Sequence, residues 1–287
     1  MAKQIIGIIG AENSHTAAIA KTINIDKKVR GFSVDYVWGE TSKFAKAAAE
    51  GGTIPNIVKN TDDMLGKVDA ILVDHRHAKF HLDAIRPYVE AGVPTFVDKP
   101  FCFRSRRGAA LLELAKKKKT PITSFSVIPH QQSFADFKKS LRTNGKWITG
   151  ATYGPGDIKS KHGGVFFYGI HQVESILMSF GYDMTHVHAV VNKPNTVIQC
   201  LYSEGRTVSM HLSTSSPGGF SASALCEKGM VHQPFVFDDN MYLSGIKEFC
   251  KMFRTGKEPL THEQILKPVK VLEAMEKSIA SGKRVKV

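Results

Sequence analysis

Through about residue 120 the chain alternates short apolar runs with segments of helical spacing, and this alternation limits its fold more than any other feature. The runs at 4–9, 33–38, 69–73 and 93–97 are rich in Ile, Val and Phe, and helical stretches at 11–20, 43–50 and 81–91 lie between them. Runs without polar alternation are buried on both faces, and strands joined through helices pair in parallel with right-handed crossovers. Residues 1–120 are therefore expected to form an α/β domain on a parallel sheet. In such a sheet ligands bind in the crevice beyond the carboxyl ends of the strands, so the residues that end each run are the ones to read for chemistry.

The fourth run ends in Asp98-Lys99-Pro100. Pro100 cannot continue the ladder and biases Lys99 toward extended backbone, and a lysine held at a strand tip can exchange protons once it is desolvated. The first run contains Gly7, closes on Gly10 and leads through Ala11-Glu12-Asn13-Ser14-His15 into a helix, with Asn13 or Ser14 as its N-cap. Strand, glycine turn and helix make the front of a dinucleotide-binding unit, where backbone N–H groups meet the pyrophosphate. The glycine pattern is altered: Glu12 holds the second glycine position and His15 the third. A carboxylate there repels a diphosphate unless it is neutralised. Arg76, in the Asp74-His75-Arg76-His77 segment that follows the third run, is the expected neutraliser. Glu40, after the second run, stands at the distance where an acid holds the adenosine ribose, or else it caps the next helix.

Beyond Thr120-Pro121 the texture changes. Candidate strands at 147–153, 186–191, 196–202 and 207–213 are separated by Gly, Asn, Pro and Ser turns, as in an antiparallel meander. A helix at 170–180 interrupts them, and helices at 242–254 and 262–281 follow. Residues 121–287 are expected to form a second domain, of α+β type, for substrate binding and oligomerisation. The alternation Thr207-Val208-Ser209-Met210-His211-Leu212 offers one apolar face to a partner.

The formal charge of +13 favours anionic ligands, but much of it lies in Lys116-Lys117-Lys118-Lys119 and around Lys283-Arg284, where cations complement helix ends. No nucleic-acid motif accompanies it, so no nucleic-acid partner is expected. Cys102, Cys200, Cys226 and Cys250 are far apart, which fits a reducing cytoplasm rather than a disulfide framework or a structural zinc site. The N-terminal apolar run is too short for a signal sequence or a membrane span. The expectation is a cytoplasmic protein with no membrane association.

With these landmarks placed, the chain resembles the Gfo/Idh/MocA oxidoreductases, named for glucose-fructose oxidoreductase and inositol dehydrogenase. The resemblance rests on Ile6-Gly7-Ile8-Ile9-Gly10, on His81, on Glu90-Ala91-Gly92-Val93-Pro94-Thr95-Phe96-Val97-Asp98-Lys99-Pro100, and on Gly163-Gly164-Val165-Phe166-Phe167-Tyr168-Gly169-Ile170-His171-Gln172-Val173-Glu174. The tail from 266 to 287 is similar to the family's last helix and closing strand. Asp98 replaces the family's usual glutamate before the lysine. The resemblance implies an N-terminal Rossmann domain with a parallel sheet and a C-terminal α+β domain on an open, mostly antiparallel sheet, which in this fold commonly forms homodimers or homotetramers. It implies NAD or NADP as cofactor and a small-molecule sugar or polyol as substrate. Lys99 matches the lysine that touches the reacting hydroxyl and the cofactor, and His171 the catalytic acid/base. Two standard parts are changed: Glu12 stands at the phosphate turn, and Phe167 replaces an aspartate four residues before the histidine. Tyr168 is the substitute hydrogen-bond donor, and Glu174, one turn after His171, is placed to orient the imidazole.

The leading expectation is an NAD(P)-dependent dehydrogenase with Lys99, His171 and Tyr168 as catalytic residues. Its cofactor would lie against Gly7, Gly10, Ala11, Glu12, Asn13, Ser14, His15, Glu40, Asp74, His75, Arg76, His81, Asp98 and Lys99. The alternative is a ligand-binding or regulatory protein of the same fold that has lost redox activity, as Glu12 and Phe167 would allow. A metal-assisted lyase or hydrolase would draw on Glu12, His15, Asp74, His75, His77 and Asp98, all near strand tips. No compact ligand spacing supports it, so no metal site is expected.

Overall fold

Residues 3–287 are described by a computed structural model. The first half runs β1 (Gln4–Ile9), α1 (Ser14–Ala20) with a π-helical turn at Lys21–Ile25, β2 (Phe32–Trp38), α2 (Ser42–Gly52), β3 (Asn56–Ile57), β4 (Ala70–Val73), α3 (His81–Glu90), β5 (Thr95–Val97), α4 (Ser105–Lys118) and β6 (Ile122–Ser124). The second half runs α5 (Gln132–Thr143), β7 (Trp147–Pro155), α6 (Phe166–Phe180), β8 (His186–Asn192), β9 (Asn195–Leu201), β10 (Thr207–Ser213), β11 (Phe220–Cys226), β12 (Gly229–Phe235), α7 (Leu243–Thr255), α8 (His262–Ser281) and β13 (Val285–Lys286). No helix among the described residues is long and apolar enough to cross a membrane.

Two compact units divide the chain: Met1–Phe125 with Tyr242–Ile265, and Ser126–Met241 with Leu266–Val287. The first is built on a six-stranded sheet, ordered β3-β2-β1-β4-β5-β6 and parallel throughout. This is the α/β sheet that the alternating runs demand. Ile6, Ile8 and Ile9 are fully buried, as are all four residues of β4, so both faces are covered. The division differs from a boundary at 120 because α7 returns to this unit. Its Ile246, Phe249, Cys250, Met252 and Phe253 join Val34, Leu72 and Phe96 in one core, with the Phe249 and Phe96 rings 4.6 Å apart. Each such side chain, once buried, contributes about 1.5–3 kcal/mol from area removed from water. Sequence order alone placed the helix at 242–254 with residues 121–287.

The second unit carries a seven-stranded sheet ordered β12-β11-β7-β10-β9-β8-β13. It is antiparallel except between β10 and β7, which run parallel, so a simple meander is corrected at that pair. Strands β11 and β12 escape the sequence reading. The first is Phe-Ser-Ala-Ser-Ala-Leu-Cys, small and weakly apolar, and the second contains Pro234, tolerated because β12 is an edge strand. A Cβ at Gly150 of β7 would lie 2.6 Å from the Phe180 ring, so the glycine lets α6 lie close on the sheet. The apolar face of β10 is not open to a partner. Val208, Met210 and Leu212 are buried within the unit, and Ser209 and His211 face the other way.

Candidate functional site

In the first unit the chemistry gathers at the carboxyl ends of β1, β2, β4 and β5. Gly10 has φ +108°, and a Cβ there would lie 2.8 Å from the Asp74 carbonyl carbon and the His75 nitrogen, so the tips of β1 and β4 touch only because this residue has no side chain. The backbone N–H groups of Ala11 and Glu12 both donate to Glu40 Oε2, each at 2.9 Å. The other oxygen, Glu40 Oε1, is buried and has no hydrogen-bond partner among the described residues. Thr41, rather than Glu40, caps α2, its side chain accepting from the Phe44 N–H. Thus Glu40 spans the altered glycine turn, and the helix-cap alternative does not apply to it.

Below that turn lies a buried polar cluster. Of the two N-cap candidates, Asn13 holds that position with extended backbone, but its side chain makes no capping bond; Nδ2 donates to Asp74 Oδ1 at 2.9 Å and reaches Asp98 Oδ2 at 3.5 Å. The Thr16 hydroxyl is 2.7 Å from Asp74 Oδ2 and 2.8 Å from the Gly10 carbonyl. His15 Nδ1 stands 3.5 Å from Asp98 Oδ1 and 3.6 Å from Asp74 Oδ1, and Lys99 Nζ is 3.4 Å from Asp98 Oδ2. The Tyr242 ring packs 5.1 Å from that of His15. Two carboxylates this close and this buried cannot ionise alike. Burial first, and then the charge of Asp98, push Asp74 up to about 7, whereas Lys99 and His15 overcome burial and hold Asp98 below the usual carboxylate range. Burial lowers His15, but Asp98 and Asp74 together outweigh it and the pKa ends raised.

His81 ties two of the tips together. Its Nε2 is 2.8 Å from the His75 carbonyl and its Nδ1 3.1 Å from the Pro100 carbonyl, linking the turns that follow Asp74 and Lys99. Burial lowers its pKa, against the neighbouring carbonyls and Asp98, which raise it. His75 is pushed down to about 3 by burial and by His81, and its ring lies against Trp38 and Phe80. Arg76 does not meet the expectation set for it. Among the described residues it makes no ion pair with Glu12, and its Nε is buried without a hydrogen-bond partner. The backbone N–H of Glu12 donates instead to Glu40, in the turn after β2. Ser14 is exposed at the start of α1, and Gly7 packs inside β1 rather than at its tip.

In the second unit, α6 presents His171, which is 8 % exposed. Its Nδ1 lies 2.6 Å from Ser126 Oγ, while Glu174 Oε2 accepts the Ser126 backbone N–H at 2.5 Å. Glu174 thus reaches this pair through the Ser126 backbone. Gln172, beside them, bonds Thr152 Oγ1 at 2.8 Å and the His211 carbonyl at 3.1 Å, fixing α6 to β7 and β10. Tyr168 is exposed, with its ring 5.9 Å from that of His171, and Phe167 packs on His162.

Thr16, Tyr242 and Ser126 are the polar residues of these clusters that sequence reasoning missed. Thr16 lies only one residue past the turn, and its burial within an Ala-rich helix is a weak signal. Ser126 and Tyr242 have no local signal, since contacts across 45 and more than 200 residues place them. A carboxylate with one oxygen left without a hydrogen-bond partner among the described residues suits a hydroxyl donor. A histidine held at Nδ1 by a hydroxyl suits proton transfer at Nε2.

Comparison with known proteins agrees with the fold. Residues 5–125 match the family model GFO_IDH_MocA, described as "Oxidoreductase family, NAD-binding Rossmann fold". No curated protein matches the sequence. Among solved structures, a probable dehydrogenase from Thermotoga maritima is 16% identical with a TM-score of 0.85, covering 98% of each chain. A myo-inositol 2-dehydrogenase from Lactobacillus plantarum is 17% identical with a TM-score of 0.86 over 99% of each. A myo-inositol dehydrogenase from Lactobacillus casei, in complex with NAD(H) and myo-inositol, is 13% identical with a TM-score of 0.85, covering 100% of this chain and 97% of that one.

Proposed function

We propose that this protein, whose residues 5–125 match the family model of NAD-binding Gfo/Idh/MocA oxidoreductases, is an NAD-dependent dehydrogenase acting on a hydroxyl carbon of a sugar- or polyol-like substrate. The observation that carries the reading is Glu40: one carboxylate oxygen is held by the Ala11 and Glu12 N–H groups, and the other is buried without a partner at the end of β2. An acceptor so placed fits the hydroxyls of an adenosine ribose and disfavours a 2′-phosphate, so NAD is the expected cofactor rather than NADP. When bound, the nicotinamide supplies the hydride acceptor or donor. Gly10 permits close approach at the turn, and Asn13, His15, Asp74 and Asp98 line the tips around it.

The parts assigned to this chain's own residues are proton handling and charge stabilisation. Lys99, fixed against Asp98, offers a cation to an alkoxide that develops as hydride leaves. His171 takes or returns the hydroxyl proton at Nε2, with Nδ1 on Ser126. Tyr168, exposed beside it, is assigned a hydrogen bond to substrate.

The other expectations follow the same reading. All four cysteines are buried thiols, in keeping with the proposed reducing, cytoplasmic setting. A homodimer or homotetramer through the second unit's sheet is supported by Val190, Tyr153, Leu225 and Met230, which stand 52%, 45%, 39% and 71% exposed on its strands.

Titration calorimetry with NAD, NADP and free inositols tests the function. Binding of NAD in preference to NADP, followed by polyol-dependent absorbance of reduced nicotinamide, is expected. Absence of heat and of any thermal shift at millimolar levels of both dinucleotides would remove the proposal.

A further inference from the structure

We propose that His15, Asp74 and Asp98 form a binding site for a divalent transition-metal cation at the tips of β1, β4 and β5. Three donor atoms from three separate segments converge there. His15 Nδ1 is 3.6 Å from Asp74 Oδ1 and 3.5 Å from Asp98 Oδ1, and the three ligand atoms all lie within 4.8 Å of one another. A dication bonded at about 2.1 Å in tetrahedral or octahedral geometry needs neighbouring donors roughly 3.0–3.4 Å apart, so the two separations from His15 need close by only a few tenths of an ångström.

The surroundings match what ligating groups require. Metal-bound carboxylates are themselves held by hydrogen bonds. Here Thr16 holds Asp74 Oδ2, and Lys99 with Asn13 holds Asp98 Oδ2, which leaves both Oδ1 atoms turned toward His15 Nδ1. Asn13 Nδ2 also bonds Asp74 Oδ1, whose second lone pair can still serve a metal. The charges point the same way. Two carboxylates and one lysine sum to a charge of −1, which favours a cation that takes His15 as a neutral ligand. One imidazole and two carboxylates suit Mn²⁺, Zn²⁺ or Co²⁺ better than Ca²⁺ or Cu⁺. The Tyr242 ring against His15 and the brace of His81 between the two tips hold the donors in place. His15 and the two aspartates are separated by 59 and 24 positions in the sequence, so no compact motif announces the site.

The test uses the intact chain without dinucleotide. After chelator treatment, the protein is dialysed against Mn²⁺, Zn²⁺ or Co²⁺ alone, and bound metal is counted per chain. One cation per chain, visible Co²⁺ absorption, and nitrogen coupling to bound Mn²⁺ in electron spin-echo spectra are expected. His15→Gln, at a partly exposed position, and Asp98→Asn should each weaken binding tenfold or more, in line with the loss of one of about three protein ligands. Substoichiometric uptake, or uptake unchanged in His15→Gln, overturns the proposal and leaves a protonated His15 as the balancing charge. Should Asp98→Asn fail to fold, His15→Gln alone decides. The site and the dehydrogenase reading fail separately: metal uptake without NAD binding removes only the latter, and NAD binding by a protein that takes up no metal removes only the former.

Discussion

Ser126 Oγ lies 2.6 Å from His171 Nδ1, and the same oxygen is 3.3 Å from the Ile128 N–H, which donates to it. With one lone pair engaged by Ile128, the hydroxyl either receives the Nδ1 proton in the other or gives its own hydrogen to Nδ1. Only the first arrangement leaves a lone pair on Nε2, the form that removes a proton from a substrate hydroxyl. Ser126 is thus a positioning residue for His171. Ser126→Ala is expected to lower kcat roughly 10- to 100-fold with KM little changed, and to shift the acidic limb of the pH–rate profile. Ser126→Thr should restore most of the rate. Equal rates in Ser126→Ala and the parent, or a loss confined to KM, would count against that role.

Glu40 carries a similar test for the first unit. Replacing its carboxylate by Gln keeps the size but weakens the two bonds from the Ala11 and Glu12 N–H groups and the acceptor offered by Oε1. A hydrogen bond to a charged group contributes about 1.5–3 kcal/mol, so Glu40→Gln should weaken NAD binding by one to two orders of magnitude, roughly. Discrimination against NADP should relax at the same time, because the repulsion of a 2′-phosphate goes with the charge. Calorimetric titration of both dinucleotides into both proteins measures this, and an unchanged NAD to NADP ratio contradicts it.

Most of the first unit was legible because its signals are local. Buried parallel strands read as apolar runs, and the strand ends delivered Glu40, Asp74, Asp98 and Lys99 to one rim without any tertiary knowledge. What the sequence hid was relative placement. Glu12 looked like an uncompensated charge facing a phosphate, yet its N–H is one of two that hold Glu40, and among the described residues no ion pair joins it to Arg76. His15 read as a broken glycine motif, and only the distances show it turned toward two aspartates. The return of α7 to the first core and the pairing of β7 with β10 depend on contacts between segments more than 50 residues apart, which no periodicity reports. In β10 the alternation was read correctly but assigned to the wrong face, because a strand pattern cannot say which side its own helices cover.

Buried neutral histidines should make stability fall in mild acid. Burial pushes His130 down from 6.5 to about 4, and also lowers His81. A folded-state pKa below the unfolded one means that the unfolded chain binds more protons between the two values, so stability rises with pH through that window and is lost as pH falls from about 6.5 toward 4. For His130 alone the difference between pH 7 and pH 5 is on the order of 2 kcal/mol. Urea unfolding at the two pH values, with His130→Asn as the comparison, should show a smaller pH dependence in the variant. The same dependence in both proteins would assign the acid sensitivity elsewhere.

Gly10 joins the fold to the site, and its replacement should damage both. At φ +108° an alanine is strained, and its Cβ would sit 2.8 Å from the backbone of Asp74 and His75, atoms that cannot swing aside as a side chain would. Relief requires β1 and β4 to part at their tips. That movement would carry Asp74 away from Asn13 and Thr16, and Ala11 away from Glu40. Strain of this kind costs of order 1–3 kcal/mol before any packing loss, so Gly10→Ala should lower the melting temperature by several degrees, roughly. If the protein still folds, NAD affinity should drop more than the stability loss alone requires. Gly92→Ala is the control, because Gly92 also has positive φ, at +80°, but a Cβ there meets nothing within 4 Å. It should show backbone strain of the same kind while leaving dinucleotide binding intact. Equal effects of the two substitutions on NAD binding would mean that the β1–β4 approach is not what shapes the site.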